Sequence, residues 1–388
     1  MLADAQRITD RIVAWRRHLH QHPELGFHEH ATARYIAESL PPTAAIRMNV
    51  GKTGVVAEIG ASSGPIVALR ADMDALPIEE QSGVSFCSQV PGRMHACGHD
   101  AHVAMLLGAA QLLAQRDLPG RVRLLFQPCE ETTDEQGKSG ADYMLAEGAL
   151  DDVAAVVGCH VDPSLRAGTI AVSPGPIAAA PDTFTATIKG QGGHAAYPHH
   201  ALDSIWLTTQ VLNAIYGLRG RLVSPIAPAL ITVGTIHAGT AENILPPEVR
   251  ISGTIRSFDQ PTRQRLHDGL EQACAIARTF GGDYDLRIEL GCPPVVNDTR
   301  IAQLVRVEAE QLIAAKRVVA QQPQCSADDF SVFAERVPGC YFMLGVGSGQ
   351  EFYECHDPRF TIDEAALPLG AALLAASAVR LLEETAQR

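Results

Sequence analysis

The sequence predicts an α/β fold in two domains, and two patterns support this class. Short apolar segments in the first 160 residues predict strands at Ile66–Arg70, Val122–Phe126 and Val153–Gly158, with a helix at Ala101–Gln115 after the first. Largely apolar strands of this kind are typical of a mainly parallel sheet flanked by helices. Farther along, residues 183–290 follow the order βαββαβ. A length of 388 residues also exceeds one domain of about 150 residues.

The N-terminal elements are predicted from periodicity and from the residues that end helices. Apolar residues recur at intervals of 4, 3 and 4 over Ile8–His20, which indicates one face of a helix. Pro23 ends it, because a residue before proline disfavours helical geometry. A second helix over Glu29–Leu40 and a strand over Val50–Ile59 follow. Nine histidines are interpreted as chance occurrences, and most of them are expected at the surface; they are His18, His20, His22, His28, His30, His199, His200, His237 and His267.

A proline-rich segment marks the start of an inserted domain. Pro174, Pro176 and Pro181 lie within eight residues and indicate a hinge. The βαββαβ order beyond it matches a ferredoxin-like α+β unit that closes at Cys292. We therefore assign residues 1–181 and 292–388 to a main domain and 182–291 to the insert. The predicted elements of the insert are strand Thr183–Lys189, helix Ala201–Tyr216, strands Leu230–Ile236 and Val249–Arg256, helix Thr262–Phe280 and strand Tyr284–Leu290.

Composition limits the classes of binding partner and the cellular compartment that we expect for the protein. A formal net charge of -13 disfavours binding to nucleic acid and to anionic membrane surfaces. Residues Met1–Arg17 lack the apolar core of a signal peptide, so no export signal is expected. The nine scattered cysteines are an odd number and match no disulfide framework, which favours a reducing cytoplasm. The apolar run Ala365–Val379 is too short to span a bilayer and predicts a buried C-terminal helix.

The segment Met94–His102 concentrates groups that bind metals or move protons. It contains one thiol, three imidazoles and one carboxylate in nine residues. Thiolate and imidazole are ligands of zinc and neighbouring transition ions. A polar loop with chance histidines is the alternative. Asp100 is also placed to cap the helix that follows.

Two further strands also run into ionisable groups. Glu130 and Glu131 follow Val122–Phe126, and such a pair can divide two tasks, because one carboxylate binds metal while the other transfers a proton. A surface glutamate pair is the alternative. Asp72 and Asp74 follow the strand Ile66–Arg70. They are either supporting residues for a histidine ligand or part of a solvated turn. In open α/β sheets the site lies beyond the carboxyl ends of the strands.

Three histidines outside the main motif are also candidates. His160 follows the strand Val153–Gly158, where a structural histidine is the competing interpretation. His194 lies in a glycine-rich turn of the insert and could donate to an oxyanion, whereas phosphate binding is disfavoured because the expected Lys-Ser/Thr is missing. His356 lies after the last predicted strand and could complete the candidate metal site. Neighbouring cysteines are expected to pack inward as small apolar groups rather than form a metal cluster; they are Cys129, Cys159 and Cys355.

Six motifs together resemble the aminoacylase and carboxypeptidase family of binuclear metallopeptidases. The closest branch is its amidohydrolase subfamily, which includes aminoacylases, hippurate hydrolases and auxin-conjugate hydrolases. The motifs are Arg70-Ala71-Asp72-Met73-Asp74-Ala75-Leu76-Pro77, His95-Ala96-Cys97-Gly98-His99-Asp100-Ala101-His102, Glu130-Glu131, Gly158-Cys159-His160, Gly192-Gly193-His194-Ala195-Ala196 and His356-Asp357-Pro358-Arg359-Phe360.

The resemblance implies a fold and a set of residue roles. The main domain would be a zinc-peptidase-like catalytic domain, and the ferredoxin-like insert a lid or dimerisation domain. Glu130 would be the general base and acid, His194 would polarise the scissile carbonyl from the neighbouring subunit of a homodimer or higher homo-oligomer, and Asn243 would contact substrate. Asp72 and Asp74 would support the site from behind. The implied metal ligands are Cys97, His99, Glu131, His160 and His356.

The resemblance also implies the reaction. We expect a cytoplasmic amidohydrolase with two divalent ions, zinc or manganese ahead of cobalt or nickel, which cleaves N-acyl amino acids. A dipeptidase or carboxypeptidase of the same family is the alternative, and a metal-binding or thiol-redox protein without hydrolytic activity is a more distant one. Asp162 and Asp328 depart from the residues usual in relatives and leave the acyl and amino-acid preference open.

Overall fold

The computed structural model describes residues 1–349 and 352–387, and the chain forms two compact units. The first unit comprises Met1–Gly175, Val296–Gln322 and Asp329–Arg388, and the second comprises Pro176–Val295 and Pro323–Asp328. The roles assigned above to residues 1–181, 182–291 and 292–388, as catalytic and lid domains, stay a prediction.

The described residues contain the following helices and strands. The helices are α1 (Leu2–Arg7), α2 (Thr9–Gln21), α3 (His30–Ser39), α4 (His99–Leu113), α5 (Gly140–Ala146), α6 (Ser204–Leu222), α7 (Gln260–Thr279), α8 (Thr299–Leu312), α9 (Phe330–Arg336) and α10 (Leu367–Ala386). The strands are β1 (Ala45–Val50), β2 (Gly54–Gly60), β3 (Ile66–Asp72), β4 (Arg121–Gln127), β5 (Val153–Arg166), β6 (Ile170–Ala171), β7 (Gly175–Ala178), β8 (Ala180–Lys189), β9 (Gly193–His194), β10 (Ala229–Ala238), β11 (Ile244–Leu245), β12 (Glu248–Ser257), β13 (Asp283–Glu289), β14 (Val295–Asn297), β15 (Val318–Val319) and β16 (Gly339–Gly347).

The first unit is built on a mixed sheet with a parallel centre. Its strand order is β1-β2-β4-β3-β5-β16-β6-β15. The central neighbours β4, β3, β5 and β16 run parallel, whereas β1 and β2 are antiparallel at one edge. All of β3 is buried, as expected for a strand covered on both faces. The predicted fold class, an α/β domain with a mainly parallel sheet flanked by helices, is confirmed.

Small residues let the helices α4 and α10 of the first unit approach closely. A Cβ atom added to Gly108 would lie 2.9 Å from Cβ of Ala371, and one added to Gly370 would lie 2.0 Å from Sδ of Met105. Both helices are buried along most of their length and contribute to the main apolar core. This packing supports the end of α4 at which the ionisable groups begin.

The second unit has the predicted ferredoxin-like arrangement. Its antiparallel sheet has the order β10-β12-β8-β13, which is the order that a βαββαβ chain takes when α6 and α7 pack on one face. Apolar residues of both helices and of the strands form a separate core. The side chains of Asp203 and Asp259 cap the two helices by accepting backbone N–H groups.

Several local predictions were wrong. The segment Val50–Ile59 is not one strand, because the chain turns between β1 and β2, with positive φ at Gly51 and Lys52. Strand β5 does not end at Gly158 but continues through His160 to Arg166. Asp100 does not cap α4; Gly98 occupies the cap position.

The C-terminal helix is longer than predicted. The helical segment Glu364–Ala386 has 23 residues and contains an 18-residue window with a mean hydropathy of 1.8, so by length and composition it could cross a membrane. The expectation that Ala365–Val379 is too short is therefore corrected. Within the fold, 83% of its most apolar window is buried, which confirms the predicted buried helix.

A buried ion-pair network joins α2 to the start of α4. Arg16 Nε donates to Asp100 Oδ2 at 2.8 Å, and Arg16 Nη1 donates to Glu364 Oε1 at 3.0 Å. His20 belongs to the group of histidines mostly expected at the surface, but it is buried, with its ring nitrogens 2.8 Å from Asp100 and 3.1 Å from Glu80. Burial alone would raise the pKa of Asp100, but Arg16 and His20 hold it well below its ordinary value.

Replacing Arg16 should destabilise the protein strongly. Arg16→Met leaves the Asp100 carboxylate buried with weaker compensation, so we expect a loss of about 3–5 kcal/mol in the free energy of unfolding measured with urea. Arg17→Met is the matched control, because Arg17 pairs with the same Glu364 from an exposed position, and should cost less than about 1 kcal/mol. Equal losses would contradict a special role for the buried pair.

Candidate metal centre

The predicted ligands of the first unit meet at the carboxyl end of the central strands. Asp72, the last residue of β3, pairs with Gln127, the last residue of β4. Arg70 pairs with Gly158 of β5, and parallel register therefore places His160 level with Asp72. Helix α4 begins at the same place with His99. Strand order and register thus bring together segments far apart in sequence.

A first group of donors consists of Cys97, His99 and His160. Their ligand atoms lie within 4.8 Å of one another, and Cys97 Sγ is 3.3 Å from His160 Nε2. Gly98 makes the turn between the first two with φ of 88°, and a Cβ atom there would lie 2.4 Å from Val161 Cγ2. Only glycine fits this close approach without strain, which explains the Cys-Gly-His sequence.

A second group shares the same thiol. Cys97, Glu131 and His356 also have ligand atoms within 4.8 Å of one another, and His356 Nε2 lies 3.3 Å from Glu131 Oε1. His356 is half exposed, whereas Cys97 and Glu131 are largely buried. Two adjacent groups that share Cys97 can hold a pair of ions, with one side of the site open to solvent.

Hydrogen bonds orient two of the imidazoles. His99 Nδ1 lies 2.9 Å from the carbonyl oxygen of Asp74, and His160 Nδ1 lies 2.7 Å from that of Val161. Each Nδ1–H donates to a carbonyl, which leaves Nε2 directed at the other donors. His99 Nε2 is buried and has no hydrogen-bond partner within residues 1–349 and 352–387. This atom and the thiolate, imidazole and carboxylate set fit zinc or a similar ion.

The electrostatics of the site favour a cation. Burial lowers the pKa of His99, but Asp72, Asp74 and Glu131 together raise it well above the ordinary value. Glu131 also raises the pKa of His356 through their direct hydrogen bond. Carboxylates that stabilise positive charge on imidazoles in this way produce a negative potential at the same place, and a divalent ion would benefit from it.

Glu130 lies beside the donors in a position suited to proton transfer. One of its carboxylate oxygens is within 4.8 Å of a ring nitrogen of His99 and an oxygen of Glu131. Glu130 is half-buried, so water can reach it. The geometry therefore allows Glu131 to bind a metal ion and Glu130 to transfer protons. Both roles stay predictions.

Asp72 and Asp74 stand behind the donors and are both buried, which rules out the solvated-turn interpretation. Asp74 Oδ2 accepts the backbone N–H of Glu131 at 3.1 Å. Asp72 Oδ2 accepts from Arg70 at 2.6 Å, and its Oδ1 lies 2.5 Å from His102 Nδ1. His102 Nε2 in turn accepts the backbone N–H of Val161 at 3.0 Å. These bonds tie the strand bearing His160 to the helix bearing His99.

Sequence reasoning missed several residues of this environment. Arg70 bridges Asp72 and Asp329, and Gln127 also donates to Asp329. A charged residue inside an apolar strand was the available signal for Arg70. Cys129 and Cys159 pack inward as expected, but Cys355 forms a hydrogen bond with Cys97, which raises the pKa of the Cys97 thiol.

His194 and Asn243 are neighbours within the second unit. Strand β9, which contains His194, pairs with β11, and His194 lies opposite Ile244. The backbone N–H of Ala195 donates to the carbonyl of Asn243 at 3.1 Å. His194 is exposed, and its Nδ1 accepts the N–H of Ala196 at 3.1 Å. The two residues were predicted from separate motifs, and their roles toward a substrate stay predictions.

Comparison with known proteins identifies the family. The profile of peptidase family M20/M25/M40 matches residues 68–380. The chain is 40% identical over 386 residues to thermostable carboxypeptidase 2 of Saccharolobus solfataricus, covering 97% of each chain. It is 40% identical over 384 residues to N-acetyl-L-cysteine deacetylase of Bacillus subtilis, covering 97% of this chain and 89% of the relative.

A solved structure agrees with these relatives. A Bacillus subtilis protein described as a dinuclear metal binding peptidase of the M20 family superposes with a TM-score of 0.85 at 35% identity, covering 97% of this chain and 99% of the other. The chain therefore belongs to peptidase family M20/M25/M40. It is a metal-dependent amidohydrolase, as the sequence motifs predicted.

Removing the shared thiol should lower the metal content. Cys97 belongs to both donor groups, so after loading with Zn²⁺ we expect Cys97→Ala to retain far less zinc than the roughly two ions per chain expected of the wild type, measured by elemental analysis after gel filtration. Cys159→Ala is the control, since Cys159 precedes His160, is equally buried and belongs to neither group. Wild-type metal content in Cys97→Ala would contradict the shared position.

Proposed function

We propose that the protein hydrolyses the amide bond of N-acyl amino acids and releases a carboxylic acid and the free amino acid. The observation that carries this proposal is the donor set around Cys97 with Glu130 beside it. A relative named N-acetyl-L-cysteine deacetylase that matches nearly the whole chain supports the substrate class. Cleaving a stable amide requires activated water, a polarised carbonyl and a proton for the leaving nitrogen.

The chain's own residues would supply these functions in order. Glu130 would take a proton from the attacking water and later deliver it to the departing amine nitrogen. His194 would donate a hydrogen bond to the carbonyl oxygen as negative charge develops there, from the neighbouring subunit of a homodimer, and Asn243 would contact the substrate. Cys97, His99, Glu131, His160 and His356 would hold two divalent ions. When bound, these ions would polarise the carbonyl and lower the pKa of water.

The finer parts of the proposal rest on composition and chemistry. Zinc or manganese is proposed as the native ion, with cobalt and nickel as alternatives, because thiolate and imidazole accept all of these metals. A cytoplasmic location is proposed because all nine cysteines, each within the described residues, are free thiols. The net charge of -13 supports small-molecule substrates over nucleic acid or membrane partners.

Peptide hydrolysis is the second candidate function. A relative named thermostable carboxypeptidase 2 matches the chain at the same identity as the deacetylase. Asp162, one of the departures noted in the sequence, is largely buried and accepts hydrogen bonds from the backbone N–H and the hydroxyl of Ser164 at 2.8 and 2.6 Å. Both reactions cleave an amide bond, and they differ in the chemical groups on either side of that bond.

A paired substrate panel separates the two functions. The protein is stripped with a chelator, reloaded with Zn²⁺ or Mn²⁺, and assayed on N-acetyl and N-benzoyl amino acids against glycyl dipeptides with the same C-terminal residue. We expect hydrolysis only after reloading, with kcat/KM for the acyl substrates at least about 10-fold higher. A reversed preference would favour the peptidase. Failure to hydrolyse any acyl amino acid or dipeptide would favour a non-hydrolytic metal-binding or thiol-redox protein.

A further inference from the structure

Glu29 is a buried carboxyl group to which neither metal binding nor proton transfer assigns a task. It immediately precedes α3, and its side chain is fully buried. One carboxyl oxygen, Oε1, accepts the backbone N–H of Cys129 at 2.8 Å. The other, Oε2, lies 2.5 Å from the hydroxyl of Thr53. A group from the N-terminal region thus contacts the segment directly before Glu130.

The backbone at Cys129 makes an unusual turn. Its φ is 46°, a left-handed conformation that is unfavourable for residues other than glycine. The Cys129 carbonyl accepts the N–H of Gly140 at 3.0 Å, and its thiol donates to the carbonyl of Thr132 at 3.3 Å. A Cβ atom added to Gly26 would lie 2.7 Å from Cys129 Sγ, so the segment around Gly26 also packs against this turn.

We infer that Glu29 is a positioning residue for the catalytic turn. Its carboxyl group, by accepting the Cys129 N–H, holds the left-handed backbone that directs the Glu130 and Glu131 side chains into the metal centre. Asp74 holds the next part of the same turn through the N–H of Glu131. The inference rests on the proposed roles of Glu130 and Glu131, and Glu29 itself touches no reacting atom.

The hydrogen bonds of Glu29 indicate which residue can take its place. Burial, together with the charge of Asp74, raises the pKa of Glu29 to about 7. The Cys129 thiol faces the same group, and its pKa is raised, mainly by burial. The Thr53 hydroxyl donates to Oε2 of Glu29 and the Cys129 N–H donates to Oε1, so both carboxyl oxygens act as acceptors. Glutamine keeps an acceptor oxygen for the Cys129 N–H in nearly the same shape, and its NH2 group can donate to the Thr53 hydroxyl, which also accepts, whereas alanine offers neither.

The experiment compares Glu29→Gln, Glu29→Ala and the control Glu24→Ala as zinc-loaded proteins. Glu24 lies on the same segment, and its carboxylate also accepts a backbone N–H, that of Thr32 at 2.8 Å, rather than one in residues 128–133. Three quantities are measured: kcat and KM with N-acetyl-L-cysteine, and hydrogen–deuterium exchange of the amides in residues 128–133. The exchange measurement is independent of activity.

We expect Glu29→Ala to lower kcat about 100-fold, because misplaced catalytic groups lose rate steeply, while KM changes less than about threefold. Exchange in residues 128–133 should become about 10-fold faster. Glu29→Gln should restore both kcat and exchange to within about threefold of the wild type. Glu24→Ala should leave kcat and the exchange of this segment within about twofold of the wild type.

Three outcomes would overturn the inference: unchanged kcat and exchange in Glu29→Ala, equal losses in Glu29→Gln, or the same losses in Glu24→Ala. If the wild type hydrolyses no acyl amino acid, the proposed function fails, and the exchange pattern alone still decides the role of Glu29. If Glu29→Ala does not fold, Thr53→Val removes the hydroxyl partner and should speed exchange in the same segment. Unchanged exchange in Thr53→Val would then count against the inference.

Discussion

Asp74 joins two segments that carry candidate metal ligands, the start of α4 and the segment after β4. Its backbone oxygen and Oδ1 lie 2.9 and 3.2 Å from Nδ1 of His99, and its Oδ2 accepts the N–H of Glu131. One buried residue after β3 therefore orients a ligand on α4 and a ligand after β4. Side-chain geometry at a metal centre must be held to fractions of an ångström. The position of β3 in the sheet therefore affects the geometry of both ligands through Asp74.

Buried charge is compensated throughout this region by partners from distant segments. Arg70 neutralises Asp72 and Asp329, and Arg16 with His20 neutralises Asp100. Burying an uncompensated charge is costly, so each of these carboxylates requires its partner in place. The same rule explains why a cation fits the cluster around Cys97, where several carboxylates raise the pKa of His99.

Sequence patterns predicted the parallel sheet, the ferredoxin-like unit and the segments that meet at the metal centre, since periodicity and strand-end residues are local signals. They failed where long-range contacts decide. His20 is buried because Asp100 and Glu80, 80 and 60 residues away, pair with its ring. Asp329 and Glu29 could not be placed either, because their partners lie 202 and 100 residues along the chain. No local pattern encodes such pairings.

The tasks assigned to Glu130 and Glu131 are separated most directly by measuring bound zinc and kcat together in Glu130→Gln and Glu131→Gln. Glu130→Gln should keep the wild-type zinc content while kcat for N-acetyl-L-cysteine falls about 10²–10⁴-fold, since only proton transfer is lost. Glu131→Gln should lose zinc, because a carboxylate ligand is replaced by a weaker neutral one. Wild-type turnover in Glu130→Gln, or equal zinc loss in both variants, would contradict this assignment.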